Sequence, residues 1–130
     1  MLSPLTFMDN QDFENRRKHP RVREDLNVLI TILYSPEDES LTGHEFECHT
    51  KDISFQGMCI LSPINIQHGL KLELQIQVED PRLSFSFTGI VIWCSYNDEI
   101  HEYEVGIQFM ESNEIPVQWK KLVIDLIVKY

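Results

Sequence analysis

Leu70-Lys71-Leu72-Glu73-Leu74-Gln75-Ile76-Gln77-Val78-Glu79 alternates apolar and polar side chains without interruption. A period of two sends Leu70, Leu72, Leu74, Ile76 and Val78 to one face and the charged and amide residues to the other. That is the pattern of a half-buried strand, and no helical spacing accommodates it. The same period recurs on both sides. Upstream, Leu26, Val28, Ile30 and Ile32 alternate with Asn27 and Thr31, although Leu29 and Leu33 add apolar weight to the second face. A second strand is predicted from about His44 to Asp52, with Phe46, Cys48 and Thr50 sharing one face. A short third runs from Gly57 to Leu61 and stops near Ser62-Pro63.

Downstream, Asp80-Pro81 reads as a turn. Leu83, Phe85, Phe87, Val91 and Trp93 then form one face of a fifth strand, opposite Ser84, Ser86 and Thr88. Gly89 in its middle predicts a bend or bulge. A sixth strand carries Tyr103, Val105, Ile107 and Phe109 after an acidic loop over residues 97–102. Strands at this spacing, joined by turn-rich segments such as Ser35 to Gly43, predict a closed antiparallel barrel or a sandwich. The period then changes. Ile115, Trp119, Leu122, Val123, Leu126 and Ile127 fall at helical spacing, predicting one amphipathic helix over 113–128, capped by Ser112 or Asn113.

The chain of 130 residues is sized for a single domain. No stretch approaches the roughly 18 apolar residues that a membrane helix needs. Met1 to Met8 has neither a basic leader nor a small-residue cleavage site, which predicts a chain that is not secreted. Cys48, Cys59 and Cys94 are odd in number and follow no paired spacing, so a reducing cytoplasm is expected.

Charge is unevenly spread. Five of the 11 Lys and Arg residues (Arg16, Arg17, Lys18, Arg21 and Arg23) lie in residues 16–23, which hold no acid; the other six face all 21 Asp and Glu. The stretch therefore carries +5 and the rest −15, for a net −10. A surface this acidic repels a nucleic-acid polymer, whose binding needs many phosphate neutralisations. A small anion held by one basic segment meets no such barrier.

Two short patterns carry the chemistry. Arg16-Arg17-Lys18-His19-Pro20-Arg21 sets Arg17 and Arg21 four positions apart around a proline, and Asp52-Ile53-Ser54-Phe55-Gln56-Gly57 sets a carboxylate, a hydroxyl and a glycine at i, i+2 and i+5. Proline keeps His19 out of helix and fixes its own backbone, so the arginines sit on an extended path, at most about 13 Å apart. Alone, the first pattern is a solvated basic linker and the second an ordinary strand–turn–strand. Together, in this order, they resemble the signature of the PilZ family, bacterial receptor domains for cyclic di-GMP. Val91-Ile92-Trp93 and Gly106-Ile107-Gln108-Phe109 extend the likeness, which covers roughly residues 15–127.

The resemblance implies an all-β fold, a six-stranded antiparallel β-barrel with a C-terminal α-helix. It divides the chain into a flexible lead over 1–14 and one domain over 15–130, made of a basic arm (16–23), a barrel (25–110) and the helix. It implies cyclic di-GMP as ligand, no cofactor, no enzymatic activity, and a downstream protein to which the message passes. The ligand residues carried over are Arg16, Arg17, Arg21, Asp52, Ser54 and Gly57. Arginine's planar fork pairs with phosphate oxygens and with the O6/N7 edge of guanine, and it stacks on purines. Asp52 would accept from the N1–H and N2 amino group of guanine, and the Ser54 hydroxyl would serve a phosphate or base edge. Gly57 would permit positive φ and a close backbone approach. In this family an arginine at the position of Arg16 goes with two intercalated ligand molecules per chain.

Rival readings are metal binding, catalysis and adaptor function. His44, His49, His68 and His101 form no HxxxH spacing and the cysteines no CxxC, so a zinc site is not expected. No nucleophile motif surrounds Ser54. The remaining alternative is a PilZ-type protein-interaction adaptor with a vestigial or secondary nucleotide site, docking partners through Trp119 and the C-terminal helix.

Overall fold

A computed structural model describes residues 21–79, 82–111 and 114–129. Arg16, Arg17, the Asp80-Pro81 turn and the two candidate cap residues, Ser112 and Asn113, lie outside them. Seven strands follow in order: β1 (Val22–Arg23), β2 (Asn27–Tyr34), β3 (Glu45–Ser54), β4 (Gly57–Ser62), β5 (Lys71–Glu79), β6 (Arg82–Asn97) and β7 (Glu102–Phe109). Among the described residues one α-helix, α1 (Val117–Lys129), follows them. Six strands hydrogen-bond in the order β3-β2-β5-β6-β7-β4, and β4 pairs back onto β3, so the sheet is a closed antiparallel barrel.

The seventh strand, β1, lies inside the stretch read from the sequence as a basic arm. Val22 pairs with Ile53 and Arg23 with Asp52, along the edge of β3 that β2 occupies farther up, from Glu45 to His49. The two strands are in effect one strand interrupted at Glu24–Leu26. Thr50 bridges the interruption: its hydroxyl accepts from the Leu26 amide (2.9 Å) and donates to the Glu24 carbonyl. Val22 is buried between half-buried Arg21 and exposed Arg23, too short a run for any period to register.

The predicted inner faces of β2, β5 and β7 all hold. Val28, Ile30 and Ile32, then Leu72, Leu74 and Ile76, then Val105, Ile107 and Phe109 are buried. β2 shifts register against β5 near its end, between Ile32 and Tyr34, and two other strands change phase. In β3 the register slips between Thr50 and Asp52, and in β6 between Val91 and Trp93. The ladder runs regularly through Gly89, so the irregularity expected there falls at Ile92 instead.

Helix α1 lies against the barrel and contributes Trp119, Val123 and Leu126 to its core. Trp119 meets Phe85 and Phe87 edge-on at 5.1 Å each and Phe109 at 5.8 Å, while Phe87 and Phe109 stack at 4.0 Å. Its indole N–H donates to the Ser54 carbonyl at 3.0 Å. Trp119 is fully buried, which removes it from the partner-docking role weighed above. The helix begins at Val117, not at residue 113. Pro116 disfavours helix at Ile115, and its own carbonyl accepts the first helical bonds, from Trp119 and Lys120. Among the described residues no helix is long and apolar enough to cross a membrane.

Candidate functional site

Strand pairing lines up two rows across the same wall of the barrel. Val22, Ile53, Met58, Ile107 and Val91 are successive partners, and all five are buried in the core. One step along, Arg23, Asp52, Cys59, Gly106 and Trp93 are successive partners on the outer face. This outer row is the candidate site.

The slip in β3 aims Asp52 outward. Phe46, Cys48 and Thr50 set an even-numbered inner face, on which Asp52 would follow. One extra residue, Lys51, intervenes against the partner strand; the phase flips and Ile53 takes the inner position instead. Lys51 and Asp52 thus come to the outer face together, each half-buried. Arg21, at the end of the arm, reaches Asp52: its Nε donates to Oδ1 at 2.7 Å, with side chains 17% and 18% exposed. Of the arginine pair and the carboxylate singled out in the sequence, the structure brings these two together; Arg16 and Arg17 are outside the described residues.

Ser54 and Gly57 close the β3–β4 turn. The Ser54 hydroxyl is buried and donates to the Gly57 carbonyl at 3.2 Å. Gly57 does not use positive φ, which among the described glycines belongs to Gly43 and Gly69. It is required because a Cβ there would stand 2.4 Å from the Ile107 carbonyl oxygen of β7. The close approach is by a neighbouring strand, and it binds the turn to the barrel.

Beside Asp52 the wall is nearly bare. Cys59 is small and 2% exposed. Burial, reinforced by the carboxylates of Asp52 and Glu104, pushes its thiol up to about 12 against the opposing charges of Arg21 and Lys51. Gly106 has no side chain because the Trp93 indole occupies that space: a Cβ there would lie 2.1 Å from Nε1 and 2.4 Å from Cε2. Trp93 therefore lies flat on the outer wall, not in the core where unbroken alternation had placed it. The slip at Ile92 is the reason.

A second ion pair borders the row. Lys51 Nζ donates to Glu104 Oε1 at 2.8 Å, and Asn97 Nδ2 donates to Oε2 at 2.6 Å. Burial would raise the Glu104 carboxyl. The hydrogen bonds from Lys51 and Asn97, with the charges of Lys51 and Arg23, outweigh it and hold the group below the ordinary 4.5. The bond to Glu104 lifts Lys51 above 10.5 against the opposing effect of burial. Sequence reading missed Arg23, Lys51, Cys59, Glu104 and Gly106 as members of this surface. The signals for it were Trp93 and Gly106, each in a motif that resemblance had marked. Among the described residues no group of three or more His, Cys, Asp and Glu is placed to hold a metal ion.

A family model described as PilZ domain matches residues 15–127. The chain belongs to the PilZ family. Solved PilZ structures share its fold. The PilZ domain of YcgR from Escherichia coli, solved with c-di-GMP, superimposes with a TM-score of 0.65 at 17% identity, covering 88% of this chain and 93% of that one. The MrkH–c-di-GMP complex of K. pneumonia gives 0.66 at 18% identity, over 88% of this chain and 52% of MrkH. The Bacillus subtilis inhibitor of motility MotI/DgrA gives 0.64 at 17%, over 88% and 50%. The PilZ chain thus spans about half the length of MotI and MrkH. No curated protein matches it.

Proposed function

We propose that this PilZ protein is a cyclic di-GMP receptor that takes the dinucleotide against the outer row of its barrel, under the arginine-bearing arm. The observation that carries the reading is the Arg21–Asp52 bond on the row shared with Cys59, Gly106 and Trp93. It sets a guanidinium and a carboxylate side by side next to a floor of little side-chain bulk. An arginine held through Nε can still turn its terminal nitrogens to phosphate oxygens or to the O6/N7 edge of guanine. The Asp52 oxygens, with the lone pairs that Arg21 leaves free, suit the N1–H and N2 amino group of guanine, which adenine does not offer. The indole of Trp93 presents a face on which a purine stacks. YcgR and MrkH, solved with c-di-GMP on the same fold, support this choice of ligand.

Arg17 completes the grip, and Arg16 adds a third guanidinium suited to a second, intercalated ligand. Four or five charge-assisted hydrogen bonds of roughly 1.5–3 kcal/mol each, less the entropy of ordering the arm, give an affinity of about −8 kcal/mol or micromolar. Ordering of the arm that precedes Arg21 over the ligand is then the change that a partner protein reads.

Calorimetric titration with cyclic di-GMP tests the proposal. The wild type binds, and Arg21→Ala and Asp52→Ala both lose binding. A wild type that releases no heat and shows no spectral change at saturating nucleotide overturns the receptor reading in favour of the adaptor. One ligand per chain rejects the role given to Arg16, and nucleotide recovered intact separates a receptor from a hydrolase.

A further inference from the structure

The slip in β3 creates a competition between cations. It puts a cation, Lys51, next to the anion that the proposed site depends on, on the same face of the same strand. The charges of four groups on this wall, Arg21, Lys51, Asp52 and Glu104, all bear on the ionisation of Cys59, the strand partner of Asp52. They divide into two pairs, Arg21 with Asp52 (2.7 Å) and Lys51 with Glu104 (2.8 Å). Nothing in the chemistry of the four favours this division over the crossed one, in which Lys51 takes Asp52. The ammonium of Lys51 already feels the Asp52 charge, and its flexible stem lets it move.

What fixes the division is the seating of Glu104. Its carboxylate is only 16% exposed, and Asn97, from the neighbouring strand β6, holds the oxygen that Lys51 does not. Pinned on both oxygens, Glu104 is a stationary anchor that draws Lys51 away across β4. The charge of Arg23, the strand partner of Asp52, also bears on this carboxylate. We infer that Glu104 is a positioning residue for the ligand grip: by holding Lys51 it keeps a second cation off Asp52 and leaves that carboxylate to Arg21 and to the guanine edge. The inference rests on the proposed ligand site for its effect on affinity, but not for its effect on the Arg21–Asp52 bond.

The test is Glu104→Gln, which keeps the shape and an acceptor for Asn97 while removing the charge, set beside Glu104→Gln/Lys51→Met. In ligand-free wild type the Arg21 Nε–H gives a distinct, slowly exchanging nitrogen-resolved NMR signal, assigned by its loss in Arg21→Lys. In Glu104→Gln that signal moves towards the free-arginine position and exchanges faster; in the double variant it returns. Calorimetry with cyclic di-GMP shows affinity lowered by about tenfold in Glu104→Gln, the scale of coupling between contacting charges, and recovered in the double variant. A merely structural loss would not be rescued by removing the lysine. An Arg21 signal unchanged in Glu104→Gln, or a double variant no better than the single, overturns the inference. Should the wild type bind no nucleotide, the receptor reading fails while the Arg21 signal still decides this one.

Discussion

Replacing Trp119 with phenylalanine removes one hydrogen bond and part of one ring from the point where helix and barrel meet. The indole N–H is the donor to the buried Ser54 carbonyl at 3.0 Å. Phenylalanine cannot replace it, and an unsatisfied buried acceptor costs about 1–3 kcal/mol. The lost part of the indole adds about 1–2 kcal/mol of transfer and cavity energy, since Trp119 is 0% exposed and enclosed by Phe85, Phe87 and Phe109. The sum is about 2–5 kcal/mol. At ~2.1 cal/mol/K per residue, unfolding 130 residues changes entropy by about 0.27 kcal/mol/K, so each kcal/mol is worth about 4 °C. Trp119→Phe is therefore expected to melt roughly 7–18 °C below wild type by circular dichroism or calorimetry. Amide exchange in residues 54–57 should rise with it, because the helix no longer holds their turn. Ile124→Ala, on the exposed side of the same helix, should stay within about 0.5 kcal/mol of wild type. A Trp119→Phe protein melting within about 2 °C of wild type would show that the Ser54 contact carries no energy and refute the reasoning.

Three further outcomes are expected. Gly106→Ala drives a methyl into the Trp93 indole, 2.1 Å from Nε1, so Trp93 lifts from the wall and its fluorescence shifts to the red while buried Trp119 stays unchanged; an unaltered spectrum sinks this account of the glycine. With a thiol reagent on native protein, half-buried Cys94 reacts first, while Cys48 and Cys59, both pushed up to about 12 chiefly by burial, react only at the rate of unfolding; rapid native labelling of Cys59 contradicts its place beneath the two ion pairs. The stability difference between wild type and Glu104→Gln should be present above the ordinary glutamate value of 4.5 and vanish as pH falls through the lower folded value, because a depressed carboxyl stabilises only while ionised. Denaturant melts that give a constant difference through that range would exclude the pairing.

The barrel was legible because its strands repeat with a period of two wherever they are long enough to show one. Residues 70–79 carry the pattern without a flaw, and their face assignments hold residue for residue. The two-residue β1 escaped because Val22 alone makes no period, and the start of α1 was misplaced because proline's local geometry outweighed helical spacing at Ile115. The misreadings that matter lie elsewhere. Unbroken alternation sends Asp52 inward behind Thr50 and Trp93 inward behind Val91. A bulge leaves no mark on composition; it shows only as a change in which residues are buried, and burial is a property of the fold. Both phase changes among the strands around this wall fall on the row that forms the candidate site, one turning out a carboxylate and the other an aromatic face. A sheet without them would bury a charge and leave the wall with neither a guanine partner nor a stacking surface. The irregularities that defeat the sequence pattern are thus the same features that turn a barrel wall into a surface able to recognise a nucleotide.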